Sequence, residues 1–186
     1  RSSDLEALIR KRGMVPNRVA RFCTQELKVQ AAKRYLVAQG WTRWTNAVGI
    51  RADEAHRARR EQRERWERWF PLVAAGVDRH RVAAFWRRQP FDLRLPAVRG
   101  STPLGNCDGC FLKGERTLAA LARDYPERHA WWERMETLIR PTKGSACRFR
   151  PEYSRRELRE YVERQGDWIF DEPGVLCQAS DGECVE

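Results

Sequence analysis

Apolar residues recur at helical spacing in most of the chain, and only one short stretch alternates as a strand does. Leu27, Ala31, Tyr35 and Ala38 fall on one helical face. Thr24 is placed to cap that helix and Gly40 to stop it, so a helix is predicted over Thr24 to Gln39. Trp41 to Ile50 reads as extended, because Thr45, Val48 and Ile50 favour the pleated backbone. Ala52 to Trp69 is dense in charge. The pairs Glu61/Arg65 and Glu64/Arg68, four residues apart, predict a helix there.

Further along, Asp78 caps a predicted helix through Val82, Phe85 and Trp86, which Pro90 ends. Residues 90–114 hold four Gly and three Pro and form a long loop, a feature that more often serves function than packing. Two helices follow, Thr117 to Arg123 and Pro126 to Ile139, the second with Pro in its first turn. Ser154-Arg155-Arg156-Glu157 is a capping-box pattern that opens a helix to about Gln165. No internal repeat or low-complexity segment interrupts this order.

Composition narrows the class. The 186 residues include eight Trp and seven Phe, enough large apolar surface to build a core. No stretch approaches the roughly 18 apolar residues of a membrane span. With no charged-then-apolar leader visible, a cytoplasmic protein that does not engage membranes is expected.

Net charge is +10, unevenly spread. From Asp167 onward there are six acidic residues and no Lys or Arg, so that tail carries −6 and the preceding body +16. A body this basic suits nucleotide phosphates, sulfate esters or nucleic acid. Arg outnumbers Lys 31 to 5, so a coding bias toward Arg accounts for the excess equally well.

The six cysteines are at 23, 107, 110, 147, 177 and 184. Asn106-Cys107-Asp108-Gly109-Cys110 places two thiols three positions apart in a Gly-containing turn, a spacing that lets both face one metal or cluster. A redox pair of this spacing opens a helix after a strand, whereas this one lies in a loop. No second such pair exists to complete a zinc ribbon. Cys23 and Cys147 are the isolated candidates for further ligands, and buried free thiols are the alternative for all four.

Arg21, Lys28, Arg51 and Arg57 flank a predicted helix start and strand end, where guanidinium forks and backbone N–H groups hold anions. Asp53 and Glu54 are placed to hold these arginines. His56, His80 and His129 share no ligand or triad spacing and read as surface or packing residues. Trp131-Trp132 and Trp66/Trp69 read as core.

Four segments in this order resemble the phosphoadenosine-phosphosulfate (PAPS) reductase family of the adenine-nucleotide alpha-hydrolase superfamily. They are Arg21-Phe22-Cys23-Thr24 with Leu27-Lys28, then Gly49-Ile50-Arg51-Ala52-Asp53-Glu54 with Arg57. Gln89-Pro90-Phe91-Asp92-Leu93 comes next, and last Gly105-Asn106-Cys107-Asp108-Gly109-Cys110-Phe111-Leu112-Lys113-Gly114. The likeness covers roughly residues 16–150 and is nearer to the reductase-like proteins of bacteria and phages than to the sulfate-assimilation enzymes. It implies an α/β, Rossmann-like fold, here helix-rich, that binds a nucleotide at the C-terminal edge of its sheet. Residues 1–150 would be the C-terminal part of that domain, with a Cys-rich loop at 100–114. Residues 151–186 would add the capped helix and the acidic tail.

The resemblance further implies that Arg21, Lys28, Arg51 and Arg57 face the phosphosulfate or phosphate. It implies a 4Fe-4S cluster on Cys23, Cys107, Cys110 and Cys147, with zinc as the alternative. The activity implied is that of an oxidoreductase or transferase of sulfur and nucleotide metabolism, acting on an adenine nucleotide phosphosulfate, and a homodimer is compatible with it. The family's S-G-G-x-D-S loop has no counterpart, and the chain starts Arg-Ser-Ser, so the first strands of the domain are expected to be missing. Of the family's E-C-G-x-H segment only Glu183-Cys184 is kept, which makes Cys184 the candidate nucleophile. Two other functions compete with this one. The first is sulfur modification of nucleic acid, and the second is a non-catalytic nucleic-acid-binding or metal-stabilised subunit.

Overall fold

The computed structural model describes residues 2–59, 64–92, 94–96, 102–105, 107–143 and 147–165. Helix α1 (Ser2–Arg12) is followed by α2 (Phe22–Thr24), a π-helical stretch (Gln25–Gln30) and α3 (Ala31–Ala38). Strand β1 (Trp44–Ala47), a 3-10 stretch (Ala52–Arg59) and strand β2 (Trp66–Trp69) come next, then α4 (Pro71–Ala74) and α5 (Arg79–Arg87). The chain closes with α6 (Glu115–Asp124), α7 (Pro126–Lys143) and α8 (Arg155–Gln165). The described residues are thus helix-rich with one two-stranded parallel sheet, a mixed α/β composition. Among them, no helix is long and apolar enough to cross a membrane.

The chain divides into two compact units, Arg1–Gln30 with Leu95–Glu186, and Ala31–Arg94. The first unit holds the core. Leu5, Ile9 and Val15 meet Phe111, Leu121, Trp132, Met135, Ile139, Cys147 and Phe149 in one buried cluster. In α7, His129, Trp132, Met135, Glu136 and Ile139 are buried positions, spaced three and four apart as one helical face requires. A second cluster joins Leu118, Ala119 and Ala122 of α6 to Leu158 and Val162 of α8.

The ends of these helices follow their sequence signals. Tyr125 leaves the helical region ahead of Pro126, because the proline ring crowds a helical predecessor. At α8 the capping box closes in both directions: Ser154 Oγ accepts from the Glu157 N–H at 3.2 Å, and Glu157 Oε2 accepts from the Ser154 N–H at 2.7 Å.

In the second unit β1 and β2 run parallel, with Trp44 opposite Trp66 and Ala47 opposite Trp69. Trp44 and Trp66 are its buried large side chains, stacked at 5.3 Å with 20° between their planes. Asp78 caps α5 as predicted, its Oδ1 accepting from the Arg81 N–H at 2.8 Å. Gly40 ends α3 with φ of +82°, a conformation that L side chains avoid, while the Trp41 N–H reaches back to the Leu36 carbonyl at 3.0 Å.

Three expectations are corrected. The first helix of the Thr24–Gln39 region starts at Phe22, and Thr24 does not cap it. Its start is set by tertiary contacts: Arg12 lies over the Phe22 ring at 5.6 Å and pairs with Glu26 at 2.6 Å. On the helical face noted there, Leu27 and Tyr35 are exposed. Trp66–Trp69 is a strand, not the end of a helix, because pairing with β1 outweighs the i,i+4 charge pattern, and Glu64 pairs with Lys33 at 3.4 Å. Trp69, expected in the core, is 55% exposed.

Candidate functional site

The loop before α6 is tied down at four points, all within the first unit. Lys113, itself buried, donates Nζ to the Pro103 carbonyl at 2.5 Å. Asp108 accepts from Trp132 Nε1 at 3.0 Å and from Arg128 Nη1 at 3.3 Å. Arg155 donates Nη2 to the Gly109 carbonyl at 2.7 Å. Within the turn, the Cys110 N–H bonds the Cys107 carbonyl at 3.1 Å, and the Lys113 N–H bonds the Cys110 carbonyl at 3.0 Å. Gly109 is required at its position, since a Cβ there would sit inside the Trp132 indole.

This framework brings Cys107 and Cys110 into one electrostatic neighbourhood with Cys23, which comes from the far end of the sequence. Burial pushes the Cys23 thiol up, and nearby Cys107 pushes it further, against hydrogen bonds from Thr24. Burial likewise raises Cys110, with Cys107 and Cys23 adding to the rise and Arg155 opposing it. Cys23 and Cys110 are thus held toward the protonated form, and metal binding to such thiols releases protons. All three are free thiols, as is Cys147.

Cys147 is buried in the main core, against which Cys23, Leu104 and Leu112 also pack. Among the described residues, no group of three or more His, Cys, Asp or Glu side chains is arranged to hold a metal ion. Cys177 and Cys184 lie outside the described residues.

The setting is cationic. Burial lowers the Lys113 ammonium, an effect opposed by Asp108, Cys110 and Cys107. The wholly enclosed Arg155 is lowered by burial too, and Glu136 opposes that shift. Glu136 does not pair with the Arg155 guanidinium. Its two oxygens accept the backbone N–H groups of Phe149 at 2.9 Å and Arg155 at 2.6 Å, which anchors residues 149–155 against α7. His129, read as a packing residue, is buried with Nε2 at 2.8 Å from the Arg155 carbonyl, whereas His56 and His80 are exposed.

Of the basic residues read as anion contacts, Arg21 and Lys28 are exposed in the first unit. Arg51 and Arg57 lie in the second. There the two acids next to Arg51 hold them as expected: Arg51 Nη2 is 3.1 Å from Asp53 and 3.6 Å from Glu54, and Arg57 Nη1 is 2.8 Å from Glu54. The hydrogen bond from Arg51 is the main reason the Asp53 carboxyl lies below its ordinary range. These arginines are pre-oriented, with part of their charge already compensated.

Sequence reasoning missed Lys113 and Arg155 as parts of the cysteine setting. Lys113 stands in the Cys107–Gly114 segment, three residues after Cys110, and that proximity was the available signal. Arg155 follows a capping Ser, a position that ordinarily faces solvent, so nothing local marks it.

No protein-family model matches the chain, and no solved structure does. It is similar to an uncharacterized nin region protein, ORF290, of Escherichia phage lambda, with 29% identity over 104 residues. The alignment takes in 55% of this chain and 33% of the phage protein, so the chain spans about a third of that relative's length.

Proposed function

We propose that this chain is a PAPS-reductase-like protein that binds an adenine nucleotide phosphosulfate and carries a thiolate-bound centre on Cys23, Cys107 and Cys110. The observation that carries this reading is the convergence of these three cysteines in one unit. The resemblance had selected the same three residues from separate motifs. The donor set fits the chemistry of an all-thiolate centre, and the buried cations Lys113 and Arg155 fit its negative charge. Cys147 is the proposed fourth ligand, placed in the core that Cys23 packs against.

A 4Fe-4S cluster, or zinc in its place, would supply an electrostatic anchor or an electron reservoir. The chain's own residues do the rest of the proposed work. Arg21, Lys28, Arg51 and Arg57 are the proposed phosphate or sulfate contacts, with Asp53 and Glu54 fixing the latter two. Cys184 is the proposed nucleophile toward sulfur. The Rossmann-like assignment belongs to this proposal as well, supported by the parallel pairing of β1 and β2.

Anaerobic purification with iron, sulfide and zinc analysis tests the centre. Iron and acid-labile sulfide in equal amounts support a cluster, a colourless zinc-loaded chain supports zinc, and a chain that takes up neither metal refutes the centre. Sulfite release from phosphoadenosine phosphosulfate, abolished in Cys184→Ser, tests the reaction.

A second reading, sulfur modification of nucleic acid, is favoured by one specific observation. In the second unit the aromatic side chains of Trp41, Trp69, Phe85, Trp86 and Phe91 are all at least 45% exposed, in a body of charge +16. Binding of single-stranded DNA or RNA that weakens steeply with salt, with no sulfite release, would decide for it.

A further inference from the structure

Arg155 is held in a way that packing alone does not explain. Its side chain is wholly buried at the first turn of α8, with the guanidinium 5.9 Å from the Trp132 ring and 5.6 Å from the Phe149 ring. One nitrogen, Nη2, is committed to the Gly109 carbonyl. The other two, Nε and Nη1, are buried without a hydrogen-bond partner among the described residues. Among the described residues no carboxylate hydrogen-bonds the guanidinium: nearby Glu136 spends both oxygens on backbone N–H groups. A buried guanidinium with unsatisfied donors is costly, and such a group calls for a ligand, an ion or water to complete it.

The negative charge that would complete it is close by. Gly109 lies between Cys107 and Cys110 in sequence, so Arg155 grips the turn that presents both thiols. The Gly109 carbonyl is joined directly to the Cys110 nitrogen, so Arg155 meets the backbone one residue from that thiol. We infer that Arg155 is a positioning residue of the cysteine site: it fixes the Cys107–Cys110 turn through Gly109 and places one buried positive charge beside the thiolates of the filled site. The inference rests on the thiolate-centre reading above. It adds that the site is built for a centre of net negative charge, which an all-thiolate iron–sulfur or zinc complex carries.

The test uses Zn2+ as the probe on the full chain under reducing conditions, with affinity read by competition against a chromophoric chelator. Circular dichroism and the urea midpoint report folding separately. Arg155→Met removes the charge, and Arg155→Lys keeps it while losing the fork. Arg155→Met is expected to weaken Zn2+ binding about ten- to a hundredfold, the usual range for residues that orient metal ligands. Arg155→Lys is expected to stay within about threefold of the native chain.

Should the chain accept iron and sulfide, the reduction potential is expected to fall in Arg155→Met and to hold in Arg155→Lys, since a fixed positive charge favours the reduced state. A folded Arg155→Met that binds Zn2+ like the native chain overturns the inference and leaves the centre standing. The same follows if Arg155→Lys loses as much affinity as Arg155→Met. If Arg155→Met fails to fold, Arg155→Lys alone decides: near-native affinity supports the inference and a tenfold loss overturns it. A native chain that binds no metal at all overturns both the centre and this role for Arg155.

Discussion

Gly109→Ala is the substitution with the least room. Its Cβ would fall inside the Trp132 indole, so either the ring or the turn must move. The ring is boxed in: Trp131 and Phe149 both pack edge-to-face against it at 4.9 Å, and it is 5% exposed. Overpacking a filled site of this kind costs about 1–3 kcal/mol. Displacement of the indole also strains its bond to the Asp108 carboxylate, and displacement of the turn strains the Arg155 bond to the Gly109 carbonyl. Charge-assisted hydrogen bonds contribute about 1.5–3 kcal/mol each, and one of the two is expected to go. The sum is about 2.5–6 kcal/mol. With a urea slope of about 2 kcal/mol per molar, the unfolding midpoint drops by about 1.2–3 M. Gly114→Ala is the control, because a Cβ there meets nothing within 4 Å. A Gly109→Ala chain that unfolds at the same urea concentration as Gly114→Ala would refute the packing described for the cysteine turn.

Three further outcomes are expected. Burial is the main reason the His129 imidazole lies below its ordinary pKa of 6.5, so folding favours the neutral ring, and stability is full above about pH 6.5 and lost as pH falls. The urea midpoint of the native chain should therefore drop more between pH 7 and pH 5 than that of His129→Gln, and equal slopes would speak against a buried neutral ring. Ser154→Ala removes one half of the α8 capping box and should cost about 1 kcal/mol, read as a lower midpoint, with no effect if the box contributes nothing. Trp44→Ala removes half of the stacked pair in the second unit, a loss of about 3–5 kcal/mol, and amides of residues 44–48 and 66–69 should then exchange faster in hydrogen–deuterium measurements.

Where local chemistry decides the structure, the sequence was readable. Helices α6, α7 and α8 carry their apolar face at helical spacing and bear their own stop and start signals, so their positions follow within a few residues. Strand β2 did not, because Trp-Glu-Arg-Trp is too short to separate a period of 2 from one of 3.6, and parallel pairing with β1 decides it. Helix α1 carries Leu5, Leu8 and Ile9 at helical spacing, too short a pattern to fix a helix alone, and the tertiary structure shows that Leu5 and Ile9 complete the main cluster. The cysteine turn was readable from its spacing. Cys23 was a candidate partner for it by cysteine count, alongside Cys147, and the resemblance pointed to it as well, since no local pattern links residues so far apart. The burial of Arg155 had no local signal and that of Lys113 only its place three residues after Cys110, because a basic side chain turns inward only when something there offsets its desolvation.

The same contrast sorts the positive charge. Arg51 and Arg57 sit against Asp53 and Glu54, and Arg156 and Arg159 sit against Glu133. Such pairs are partly exposed, screened by water and salt, and add little potential beyond their own surroundings. Lys113 and Arg155 differ in kind. Their ammonium and guanidinium groups are buried, and their direct hydrogen bonds go to backbone carbonyls, not to carboxylates. Charge in a low-dielectric setting acts strongly on whatever ionises next to it, and here the adjacent ionisable groups are thiols. A large net charge therefore says less about the partner than two enclosed cations do. The arginine-rich surface suits many polyanions equally, whereas the enclosed pair fits the narrower occupant proposed above, a centre held by thiolates.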